Sequence, residues 1–138
     1  MNQDPTGFSK SLLVTHENDG TEFLFHKIEL DDKIIFNIHV NGVIDTTIDL
    51  PIGSKQVISN ALGSTTDSEG VEPIILVGNH ANMKIQIIAT QLSKLFIKYS
   101  SKSVILSIGS RWFGQELQPN DFDNLMWVSE QVNKVLQS

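Results

Sequence analysis

The chain has 138 residues, 40% hydrophobic and 19% charged, which is enough apolar material for one globular domain over residues 1–138 and lies outside the range of disordered chains. Ten Lys/Arg against 16 Asp/Glu give a formal charge of -6. Nucleic-acid binding needs a cationic surplus to displace counterions, and no basic stripe exists here. With no cysteine, the chain has no disulfide, thiolate metal site or thiol nucleophile.

The first twenty residues, MNQDPTGFSKSLLVTHENDG, match strand and helix patterns poorly. They lack a basic leader and a continuous apolar stretch, so they do not read as a secretory signal. Within them, SLLVTH is an expected edge strand. No window approaches the roughly 18 consecutive apolar residues of a membrane span. The expected compartment is the cytoplasm, with the nucleus in addition, which suits a chain without cysteine.

TEFLFHKIEL and KIIFNIHV alternate with period two, as half-buried strands do, and are joined at Asp31-Asp32. That loop sets Phe23, Phe25 and Lys27 opposite Val40, Ile38 and Phe36, on the expected core face. The other face carries Leu24, His26, Ile28, Ile35, Asn37 and His39, too apolar for open solvent. A helix layer or a partner subunit is expected to cover it. Asn41-Gly42 then marks a hairpin into a third strand, VIDTTIDL, completing an antiparallel meander. A strict two-residue turn would bury Asp45 and Asp49, so a one-residue bulge after Gly42 is expected, turning Ile44, Thr46 and Ile48 inward.

The pattern weakens from Pro51 to Glu72, where SKQVISNAL fits a short helix or a strand and GSTTDSEGVE is a polar, acidic loop. Ile74–Val77 reads as a strand. A helix follows from about Asn82 to Tyr99, with Ile85, Ile88, Ala89, Leu92, Leu95, Phe96 and Tyr99 on its apolar stripe. KSVILSIGS is an expected central strand. The closing helix begins at Asn120 or Asp121 and presents Phe122, Leu125, Met126, Val132, Val135 and Leu136. The fold expected is α+β: an antiparallel sheet of about six strands with two main helices packed on it.

Strand–Gly–helix at Pro73–Phe96 is the layout that holds phosphate in nucleotide-binding folds. VGNHANMKI has one glycine and no Gly-Lys-Ser/Thr, so Gly78 reads as a turn and not as a phosphate loop. His26 and His39 lie diagonally on one strand face, but a zinc site needs a third ligand that the pattern does not supply. The closely spaced aspartates have local turn and strand explanations, and no GxSxG elbow is present. No catalytic, cofactor-binding or metal-binding residue is assigned, and no enzymatic activity or cofactor is expected. Arg111, Trp112 and Phe113 form the richest loop, suited either to a binding hot spot or to capping the core. Trp127 lies off the main stripe of the last helix, where it covers that helix's flank or meets a partner.

The order of these segments resembles the small proteasome assembly chaperones, the third and fourth of that family. The hairpin around Gly42, Leu76–Gly78 and IATQL look most like the third. FLFHKIELDDKIIF and LQPNDFDNLMWVSEQVNKVL look more like the fourth. The resemblance spans about Glu22 to Leu136 and implies a non-enzymatic chaperone. It implies pairing through the sheet with a related small chaperone, or with itself, and so assigns the Leu24, His26, Ile28, Ile35, Asn37 and His39 face to the dimer. It also implies capture of an α-type proteasome subunit to promote α-ring formation, with Asp67, Glu69 and Glu72 of the polar loop in contact. A small trafficking or signalling adaptor of similar architecture is the alternative.

Overall fold

Alternation along the strands sorts one set of large side chains inward. In β3 (Thr21–Glu29) the residues Phe23, Phe25 and Lys27 are buried while Leu24, His26 and Ile28 are half-buried. In β4 (Lys33–Val40) Ile34, Phe36, Ile38 and Val40 are buried by the same rule. The two strands pair antiparallel in the expected register, Phe23 opposite Val40, Phe25 opposite Ile38 and Lys27 opposite Phe36. A computed structural model describes residues 2–3, 8–53 and 71–137. SKQVISNAL, Asp67 and Glu69 lie outside the described residues.

The remaining elements are β1 (Asn2–Gln3), β2 (Ser9–His16), β5 (Thr46–Leu50), β6 (Ile74–Val77) and β7 (Ser103–Ile108), with helices α1 (Met83–Tyr99) and α2 (Asp121–Gln137). Among the described residues the strands form one sheet in the order β1-β2-β3-β4-β7-β5-β6. Six of the strands have four residues or more. All pairs are antiparallel except β4 with β7.

That parallel pair corrects the expected meander. Asn41 and Gly42 both take positive φ, 50° and 77°, and Val40 and Val43 exchange hydrogen bonds of 3.1 and 3.0 Å. This is a two-residue primed turn with no bulge after Gly42. The chain then leaves β4, and β7 occupies the place beside it. β5 pairs instead with the far edge of β7. The exchange follows from side-chain character. β7 offers Val104, Leu106 and Ile108 to the inner face and Ile105 to the outer one, as a central strand needs, whereas β5 puts Thr47 and Asp49 outward. Thr46, Ile48 and Leu50 do point inward, and Asp45 stays at the rim, accepting from Ser110 N–H (2.9 Å) and the Thr46 hydroxyl (3.0 Å). A register shift occurs between Thr47 and Ile48, where β5 meets β6.

Helices α1 and α2 lie on the inner face. Asn82 caps α1 by accepting the Ile85 N–H at 3.1 Å, and Phe96 meets Phe36 edge-on with centroids 5.3 Å apart. α2 buries Val128, Gln131, Val132, Val135 and Leu136. Phe122 and Met126, expected in that stripe, are exposed instead. The buried arc centres on Val128, Val132, Val135 and Leu136. At about 100° per residue, Phe122 and Met126 fall a quarter turn or more from its centre.

One cation sits on the core face. Lys27 is 2% exposed and donates to Tyr99 Oη at 2.9 Å, with Glu29 3.5 Å away and the Tyr99 ring beneath it. Tyr99 donates to Glu29 at 2.5 Å and Lys102 donates to Glu29 at 3.0 Å, so four side chains tie the end of α1 to the β3–β4 hairpin. Burial opposes ionisation of Glu29, but hydrogen bonds from Tyr99 and Lys102 and the charges of Lys102 and Lys27 outweigh it. Its pKa lies below the ordinary 4.5. A depressed carboxyl contributes stability above its unfolded pKa and loses it as pH falls through the folded value. Glu29→Ala is therefore expected to cost on the order of 2 kcal/mol at neutral pH, less than the 3–5 kcal/mol of breaking a fully buried pair, because 29% of the Glu29 side chain meets water. The deficit should shrink below pH 4.5, and Lys27→Met, which leaves Glu29 its bonds from Tyr99 and Lys102, should cost less than Glu29→Ala, both readable from urea melts across pH.

Candidate functional site

The outer face, opposite α1 and α2, is ordered into rows by strand register. Ser9, Ile28, Ile35, Ile105, Asp49 and Ile74 lie side by side across six strands. The next row runs Ser11, His26, Asn37, Ser107 and Thr47, and a third joins Leu13, Leu24 and His39. An isoleucine stripe thus adjoins a hydrogen-bonding row, where the Thr47 and Ser107 hydroxyls are 3.1 Å apart. Leu24, His26, Ile28, Ile35, Asn37 and His39 are all half-buried here. Ile105 completes the stripe and was not among the residues expected from sequence. Its place follows from the β4–β7 pairing, which local patterns do not reveal.

His26 and His39 are diagonal neighbours, since His26 faces Asn37 and His39 faces Leu24. No cluster of three or more His, Asp and Glu capable of holding a metal occurs among the described residues. Burial first, and then the neighbouring His26, lower the His39 pKa below the ordinary 6.5. Its proton is therefore disfavoured on this face.

The loop after β7 serves the other side of the sheet. Phe113 is 4% exposed and belongs to the core. Trp112 stands edge-on to Phe23, His16 and Phe113, with centroids 4.8, 5.1 and 5.0 Å away, and its indole N–H donates to Asp19 at 2.7 Å. Trp127 packs on Phe23 and His16, both at 4.8 Å. Trp112 and Phe113 thus cap the end of the core, and Trp127 lays the flank of α2 onto the sheet. Burial opposes the charge on Asp19, but hydrogen bonds from Thr21, Trp112 and His16 prevail and hold its carboxyl well below the usual range. Arg111 remains exposed beside a hollow it shares with Val43 and Asp45, and Glu72 is exposed just before β6.

At the strand–Gly–helix, Gly78 has φ 124° and a Cβ there would lie 3.0 Å from Thr46 Oγ1. It is a strained exit from β6 packed against β5. Asn82 takes the Ile85 N–H of the first turn of α1 for its own cap, so the segment is scaffold.

A sheet with helices on one face and a patterned apolar surface on the other defines a protein-binding module. The chain belongs to the family of 20S proteasome chaperone assembly proteins 3 and 4, whose family model matches residues 1–133. That family consists of assembly chaperones, and the chain is not an enzyme. A chain from a solved yeast structure, a chaperone complex for 20S proteasome assembly, shares the fold with a TM-score of 0.70. It is 17% identical, and the match covers 93% of this chain and 98% of that one. No curated protein sequence matches this chain.

The His39 shift has a checkable sign. Below pH 6.5 the unfolded chain binds more protons than the folded one at this site, so acid costs stability in that window. An NMR titration of the His39 ring should give a midpoint below 6.5 that rises when His26→Gln removes the neighbouring charge. A midpoint at or above 6.5 would show the face to be fully solvated.

Proposed function

We propose that this chain is one half of a dimer of small chaperones, joined through the outer sheet face to a related small chaperone or to a second copy of itself. The dimer captures an α-type subunit of the 20S proteasome and promotes α-ring formation, in the cytoplasm and also the nucleus. The observation that carries the pairing is the Ile28–Ile35–Ile105 stripe, an apolar band across three strands that neither α1 nor α2 covers. Covering such a band removes apolar surface from water at about 25 cal/mol per Å2. His26, Asn37, Ser107 and Thr47 beside it supply hydrogen bonds that fix the register of a partner sheet. Family membership supports a role in proteasome assembly, and the structural neighbour was itself solved within a chaperone complex. Asp67, Glu69, Glu72 and Arg111 are the charged residues proposed to contact the client, with Trp112 and Phe113 holding the Arg111 loop in place.

Ile35→Asp and Ile105→Asp put a carboxylate in the middle of the stripe while leaving the inner core untouched. Sedimentation of the chain, alone and co-expressed with the family's other small chaperone, should show a dimer for the parent sequence. The variants should weaken it at least about 100-fold, as loss of a central hot spot does. A parent chain that stays monomeric under both conditions would remove this reading.

A further inference from the structure

The helical layer has an apolar surface of its own. Near the start of α2, Leu117 is 86% exposed and Phe122 is 69% exposed, and Met83 and Ile87 of α1 also face water. Ile87, Leu117, Phe122 and Leu125 line a cleft of about 110 Å3 between the helices. This is somewhat smaller than the ~150 Å3 cavity that admits a benzene-sized ligand, and so of a size to take one side chain.

The cleft is held open by a buried cation. Lys84, 7% exposed, donates to the carbonyl oxygens of Phe113 and of Glu116 (3.0 Å), and pairs with Asp121 at 2.6 Å. Asp121 in turn accepts the Gln118 N–H at 2.7 Å. The loop from Phe113 to Asp121 is therefore pinned at both ends to α1 and α2. Leu117 projects from its middle and Phe122 from the residue just after it. A loop free to relax would fold these side chains into the cleft beside them.

Charge says what the cleft accepts. From Trp112 to Asn133 the sequence carries Glu116, Asp121, Asp123 and Glu130 and neither Lys nor Arg. Lys84 is committed to Asp121, so the apolar patch sits in a negative field. An apolar patch of this kind marks an interaction site. It lies on the helical side of the molecule, away from the outer sheet face, so both surfaces can be occupied together.

We propose that this cleft docks a partner segment that places one large apolar side chain between lysines or arginines. That this partner is the chaperone's client rests on the function proposed above; the chemistry of the cleft does not.

The test uses the full chain and two short labelled amphipathic peptides, one of leucine and lysine and one of leucine and glutamate. Fluorescence polarisation should show the leucine–lysine peptide binding at least about ten-fold tighter, with affinity falling as salt rises. Leu117→Ser with Phe122→Ser should weaken it about ten-fold or more. Both side chains are largely in solvent, and circular dichroism checks that the fold is retained. Glu116→Lys, a surface change with no packing consequence, should weaken it several-fold. Equal binding of the two peptides, or equal binding by the parent chain and the double variant, would overturn the proposal. Purified α-type proteasome subunits form a separate arm. A subunit captured equally by parent and double variant overturns the client as the occupant of the cleft and leaves the proposed function standing. Peptide binding that depends on Leu117 and Phe122, with no α-type subunit captured, supports the cleft and removes the proteasome client.

Discussion

Every central strand of this sheet carries apolar side chains on both faces, and α1 and α2 cover only one of them. The inner face is satisfied within the chain, because Phe23, Phe25, Phe36, Leu106 and Ile48 are fully buried beneath α1 and α2. α1 and α2 leave the outer face open, and Ile28, Ile35 and Ile105 stop at half-burial. Period-two alternation would permit a wholly polar outer face, so the apolar stripe Ile28, Ile35 and Ile105 there is either an interface or an aggregation hazard. Mixing the stripe with Ser, Asn, Thr and His is what keeps it between those outcomes. These side chains are content in water and equally able to hydrogen-bond a partner.

The buried lysines answer a related problem on the covered side. Two helices and a long loop meet the sheet at its ends, where the apolar stripe of each element runs out. At one end Lys27 joins Tyr99, Glu29 and Lys102; at the other Lys84 joins Asp121 and two loop carbonyls. Desolvating an ammonium is expensive, and the donors are therefore nearly all used. What these clusters contribute is position: apolar contacts alone tolerate sliding, whereas a lysine with named acceptors does not.

Much of this was readable from residues and some was not. The β3–β4 register followed from alternation and the Asp31-Asp32 loop, because both are local. α1 followed from its three/four spacing and the Asn82 cap for the same reason. The place of β5 did not, since Asn41-Gly42 signals a turn whether or not the strand after it stays paired. Only the competing claim of β7, some sixty residues on, decides that. Phe122 and Met126 misled because apolar type was taken for core membership, and they instead mark a surface. Trp127 was readable as off the stripe, but its packing on Phe23 and His16 required the neighbouring β2–β3 pair to be in place. The outer-face residues were legible as a set, with Ile105 hidden by the same long-range pairing.

The parallel β4–β7 ladder also has a temporal meaning. Lys33 pairs with Ser103, so the centre of the sheet joins segments 70 residues apart, whereas β2, β3 and β4 close over short turns. A ribosome delivers the N-terminal hairpins first. Until Ser103–Ile108 has emerged, β4 offers water a full row of unpaired backbone N–H and C=O groups. The sheet is completed from the inside, its middle strand arriving almost last. The chain is thus synthesised with an open edge until α1 carries β7 back to close it.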